Sequence, residues 1–113
     1  MTRYLISFED GAMTFPEEDL PEVSRDVHAV VREAQDTGVW VFGGGLRTHE
    51  TLTLVGTDGT VTDGPYPESK EQLGGFAIVD VPSRADALKW AARFAASCRC
   101  AQAVHEIMDD PEV

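Results

Sequence analysis

The chain has 113 residues, 42% of them apolar, and a formal net charge of −11. That length suits one domain around one core, expected to span residues 1–113. So acidic a chain would be repelled by phosphate backbones, and no nucleic-acid partner is expected.

No apolar run approaches the ~20 residues of a membrane-spanning helix, so no membrane partner is expected either. Met1 to Asp10 has only a short apolar stretch before the acids begin, which fits neither a signal nor a transit peptide. Cys98 and Cys100, one residue apart, make no disulfide framework and read as reduced thiols. Together these features predict a cytoplasmic location.

In chain order, Tyr4-Leu5-Ile6-Ser7-Phe8 reads as a first strand, ended by Glu9-Asp10-Gly11. A loop to Pro16 leads into a helix. Asp19 is its expected N-cap, Glu22 three residues on gives a variant of the capping box, and Pro21 suits the first turn. Val23, Val27, Val30, Val31 and Ala34 then form one apolar stripe, and Gly38 stands where a glycine ends a helix. Glu9, Asp10, Glu17, Glu18, Asp19, Glu22 and Asp26, with only Arg25 among them, read as a solvated face.

Val39-Trp40-Val41-Phe42 is the second strand, with Gly43-Gly44-Gly45 expected to close it. Those glycines lack the Lys-Ser/Thr of a phosphate loop, so close backbone packing or a bulge is the expectation. Leu52 to Val55 and Thr60 to Thr62 flank Asp58-Gly59, a hairpin-turn dipeptide. Asp63 to Leu73 reads as a turn with a short helical piece. Gly75 to Val81 is a further strand. Ser83 caps a second helix with Leu88, Ala91 and Ala95 on its inner face, and Ala101 to Met108 forms the last strand.

This order predicts an α+β chain, a ferredoxin-like split βαβ with an inserted β-hairpin and two helices over one face of an antiparallel sheet. In the strand 75–81, Phe76 and Ile78 point to one face, Ala77 and Val79 to the other. A strand apolar on both faces needs cover on both. Two helices supply one side, so a second copy packed sheet to sheet is expected, making a homodimer.

The run Val61-Thr62-Asp63-Gly64-Pro65-Tyr66-Pro67-Glu68-Ser69-Lys70-Glu71-Gln72-Leu73-Gly74-Gly75-Phe76 resembles the signature of the DGPF branch of the YCII-related family, with Tyr66 where that branch usually has Phe. Thr37-Gly38-Val39 leading to Gly43-Gly44-Gly45-Leu46 is similar to the family's second strand, and Ala87-Leu88-Lys89-Trp90-Ala91 to its last helix. The resemblance implies a dimeric α+β barrel. It also implies an Asp–His pair, with the acid ending the first strand and the histidine on the first helix. The matching positions are Asp10 and His28, although the distance from His28 to Gly38 differs by about one residue from the family spacing. His105 departs from the pattern, which commonly has Arg there, so an anion-binding role for that position does not carry over.

On a helix of 100° per residue, His28 lies about 115° from the centre of the valine stripe, a boundary position from which it reaches the rim of a pocket. An imidazole there suits acid–base chemistry, and a paired carboxylate would fix its tautomer. Asp63, Lys70 and Glu71 are candidate ligand-binding residues on the loop that would border the same pocket, Lys70 as the anion contact. His28, His49 and His105 share no ligand spacing, so neither a metal nor a cofactor is expected. A small-molecule partner is expected, under two competing readings. One is an enzyme that abstracts a proton or drives an elimination with His28 and Asp10, as in relatives resembling lyases and isomerases of small cyclic acids. The other is a ligand-binding or regulatory module without turnover. The same histidine can equally be a half-exposed helix residue, and Asp63-Gly64-Pro65 an ordinary turn.

Overall fold

The computed structural model describes residues 1–47, 52–63 and 73–113. Its elements run β1 (Thr2–Glu9), a 3-10 turn (Glu17–Asp19), α1 (Leu20–Asp36), β2 (Trp40–Gly45), β3 (Thr53–Val55), β4 (Val61–Asp63), β5 (Leu73–Val81), α2 (Arg84–Cys98) and β6 (Ala103–Glu106). The four long-range strands form one antiparallel sheet in the order β2-β5-β1-β6, while β3 and β4 pair in a separate two-stranded sheet. This is the expected α+β, split βαβ arrangement with an inserted hairpin.

Cross-strand register sorts the side chains. Tyr4 pairs with Val79 and Ile6 with Ala77, all four on the helix side. These join Val30, Val81, Ala87, Ala91 and Phe94 in the core. Fully burying a side chain such as Ile6 or Val79 is worth about 1.5–3 kcal/mol each. On the opposite face Leu5, Ser7, Phe76 and Ile78 meet across β1 and β5, and Phe42 pairs with Ile78 from β2. Among the described residues no helix lies over that face, and Phe42 is 63% exposed there.

The valine stripe of α1 divides. Val23, Val30 and Ala34 are buried, whereas Val27 and Val31 are half-buried. The helix ends as predicted, with Gly38 at φ +79, a left-handed value open to a residue without Cβ.

Four expectations need correction. The capping box at Asp19 is not formed, because no side-chain hydrogen bond caps α1 there and the Asp19 and Glu22 carboxylates both reach Arg99 instead. The glycine run does not close β2 but belongs to it, extending the strand to Gly45. Of the two alternatives expected for the glycines, Gly43 shows the close backbone packing, while the bulge-like shift of register with β5 lies earlier, between Trp40 and Phe42. In α2 the buried stripe is Ala87, Ala91, Phe94 and Cys98, and Leu88 faces solvent one step round the helix. The small Ala87 and Ala91 admit close approach to the sheet, and Phe94 supplies the bulk. Last, β6 is shorter than drawn from the sequence, only Ala103–Glu106.

The hairpin turns where Asp58-Gly59 predicted. Gly59 sits at φ +88, the Thr60 backbone N–H donates to Asp58 Oδ1 (2.9 Å), and the Gly56 N–H donates to the Thr60 carbonyl (2.7 Å).

A cavity between the helices and the sheet

A cavity of about 430 Å³ lies between α1, α2 and the helix side of the sheet, within the range of small-molecule sites. The sheet contributes Ile6 and Phe8 from β1, Trp40 and Gly43–Gly45 from β2, and Phe76 and Ala77 from β5. Helix α1 lends Leu20, Val23, Ser24, Val27, His28 and Val31, and α2 lends Phe94 and Cys98. Met13 and Gln102 complete the described wall. The lining is mainly aliphatic and aromatic, and Ser24, His28, Cys98 and Gln102 supply its polar side chains.

Glycines open this space. A Cβ on Gly43 would stand 2.5 Å from the Phe76 carbonyl oxygen and 2.8 Å from the Trp40 ring, so the strands can lie this close only with glycine there. Gly45 has the same alternation as Gly43, yet a Cβ there would meet nothing within 4 Å. On β5, Gly74 and Gly75 let the Phe8 ring lie against bare backbone, since a Cβ on either would come within 2.7 Å of it. Trp40 packs against Phe94 at 6.3 Å between ring centroids, which joins the sheet wall to the α2 wall.

His28 lines this cavity and is exposed on its α1 side, the rim position that helix geometry predicted. Asp10 stands in the turn after β1, where the Ala12 N–H donates to the Glu9 carbonyl (3.1 Å), two residues beyond the lining Phe8. Asp63 is exposed on β4 in the two-stranded sheet, and its Oδ1 accepts a hydrogen bond from Thr53 Oγ1 (2.9 Å). His28 and Asp63 thus belong to different sheets' surroundings. Lys70, Glu71 and His49 lie outside the described residues, as does the Gly64-Pro65-Tyr66 stretch. His105 pairs with Leu5 and so faces the open side of the sheet, away from the cavity.

The polar groups differ in chemical readiness. Burial pushes the Cys98 thiol up, with the neighbouring Cys100 adding to the rise, so Cys98 is held as a thiol against the cavity rather than as a thiolate nucleophile. Burial also raises Cys100. Tyr4 is raised by burial first and then by the Glu106 carboxylate, to which its hydroxyl donates at 3.4 Å. Among the described residues no group of three His, Cys, Asp or Glu is placed to hold a metal ion, and no helix is long and apolar enough to cross a membrane.

Sequence reasoning picked out His28 but missed the rest of the wall. In the sequence Phe8 and Trp40 stand only as strand residues, and nothing marks Phe94. The available signal was the clustering of Gly43–Gly45 and Gly74–Gly75 on two neighbouring strands, which lowers the sheet surface at one place.

Fold and cavity together define an α+β protein with a ligand-sized, mainly apolar space between its helices and its sheet. The chain belongs to the YCII-related domain family, whose model matches residues 3–109. Among solved structures it is similar to 5-chloro-2-hydroxyhydroquinone dehydrochlorinase (TftG) from Burkholderia phenoliruptrix AC1100, in complex with 2,5-dihydroxybenzoquinone, at 16% identity over 97% of each chain and a TM-score of 0.48. No curated protein matches it.

Proposed function

We propose that the chain binds a small organic molecule in this cavity and that His28 acts on it as a general base, in a proton abstraction or an elimination. The observation that carries the reading is the position of His28 on the wall of an otherwise mainly apolar space of about 430 Å³. Apolar walls exclude water and give binding energy, and a single imidazole can remove a proton and return it without a cofactor. Asp10 is the group we assign to orient the imidazole, on the support of its place just beyond Phe8. Asp63, Lys70 and Glu71 remain proposed ligand contacts, on the support of the family resemblance alone.

The pairing has a direct test. The ring-nitrogen NMR shifts of His28 report its tautomer. Asp10→Asn should redistribute that tautomer if the carboxylate holds it, and an unchanged spectrum removes Asp10 from the site. Once a ligand is found, His28→Gln should abolish turnover while leaving binding within about threefold. If wild type binds that ligand without converting it, the second reading stands, a binding module without turnover. The scarcity of polar side chains on the wall favours that reading.

We also propose that the working form is a homodimer packed through the open sheet face, in a reducing cytoplasm. The support is the exposed Phe42, its ring 5.9 Å from that of Phe76, together with Leu5 and Ile78 on the same face. Asp80 stands there too, with Oδ1 buried and unbonded while Oδ2 reaches Arg3 at 3.7 Å.

A further inference from the structure

Arg99 closes α2 in the left-handed region, at φ 60 and ψ 36, the one non-glycine residue with positive φ among those described. Glycine is the usual occupant of such a cap, because a Cβ strains the backbone there. The side chain at this strained position reaches far along the chain. Its guanidinium lies 3.3 Å from Asp19 Oδ2 and 3.7 Å from Glu22 Oε2, and 6.0 Å from the centre of the Phe15 ring.

All three partners belong to the segment that leads from β1 into α1. That segment also brings Met13 and Leu20 to the cavity wall, and Leu20 is exposed on its outer side. Arg99 itself stands next to Cys98 and three residues before Gln102, both on the opposite part of the wall. The segment is acidic, with Glu17, Glu18, Asp19 and Glu22, and Arg99 is a cation from another element that reaches two of these carboxylates.

We propose that Arg99 is a positioning residue that latches the Met13–Glu22 segment over the mouth of the cavity. Each of its contacts is partly solvated and individually weak, so the latch opens without unfolding the core, which gives a small molecule access past Met13 and Leu20. The inference goes beyond the proposed chemistry and does not depend on what the cavity binds.

The test uses no ligand, so its failure is separate from any failure of the catalytic reading. The chain has two tryptophans, and Trp90→Phe leaves Trp40, on the cavity wall, as the sole reporter. In that background acrylamide quenching and thermal unfolding are measured together. Arg99→Gly should raise the quenching constant by roughly twofold or more, because the mouth opens. Its Tm should hold or rise, because glycine takes the left-handed cap without strain. Asp19→Asn with Glu22→Gln should raise quenching to the same degree, and adding Arg99→Gly to that pair should raise it no further. Arg99→Lys should fall between, keeping the charge without the forked geometry. Quenching unchanged in Arg99→Gly overturns the proposal. So does a rise accompanied by a falling Tm, since Arg99 would then be holding the fold as a whole.

Discussion

The backbone of Gly43 lies against the Phe76 carbonyl so closely that a Cβ would stand 2.5 Å from its oxygen. Gly43→Ala should therefore cost about 1–3 kcal/mol, the usual range for overpacking. Gly45→Ala, on the same face with open space before it, should stay within about 0.5 kcal/mol. Urea unfolding of the two variants checks this pair. Equal stabilities would show that the β2–β5 register is wrong.

The open sheet face yields a prediction about assembly. Phe42→Asp places a charge on the exposed aromatic pair with Phe76. Light scattering should give a dimer mass for wild type and a monomer mass for the variant, with unchanged far-UV circular dichroism. A monomeric wild type at micromolar concentration would refute sheet-to-sheet pairing.

Thiol reactivity follows from burial. Both cysteines are free, and burial is the first cause that raises each. A raised value leaves less thiolate at any given pH, so a disulfide reagent at pH 8 should modify the folded chain at least about tenfold more slowly than free cysteine. Urea should abolish that protection. Rapid modification of both thiols in the native protein would show that Cys98 is not buried as described.

The pair between Arg93 and Glu33 ties α2 to α1, and the hydrogen bond from Arg93 holds the Glu33 carboxyl below its ordinary value. With the folded value depressed, the stabilisation is present above the unfolded value and is lost as pH falls through the folded one. The contribution is small, since both side chains are well exposed. Carboxyl-carbon NMR should show Glu33 titrating higher in Arg93→Gln than in wild type, and identical curves would contradict the pairing.

Much of this was legible in the sequence because periodicity reports burial. The alternation Phe76-Ala77-Ile78-Val79 gave the two faces of β5, and the valine spacing gave the inner side of α1. Gly38 and Asp58-Gly59 marked turns through backbone freedom alone. Tertiary competition was not legible. Asp19 and Glu22 fit a capping box locally, but Arg99, 80 residues away from Asp19, draws both carboxylates. Leu88 looked like core because leucine usually is, yet the side of α2 that meets the sheet runs through Ala87, Ala91 and Phe94 and leaves Leu88 exposed. The cavity wall was hidden for a related reason, since periodicity does not separate an aromatic that lines a cavity from one that fills a core, and the space beside Phe8, Trp40 and Phe94 depends on the glycines of β2 and β5. His28 was singled out by the family resemblance, and helix geometry then put it at a boundary.

The central claim is that the space beside His28 is a ligand site. Its most direct test is chemical-shift mapping of methyl-labelled protein against a library of small cyclic organic acids, phenols and ketones. The account predicts that bound compounds shift the methyl signals of Met13, Val23, Val27 and Val31 together with the His28 ring. Compounds that bind only elsewhere on the surface, or a library that leaves those signals unmoved, would contradict it.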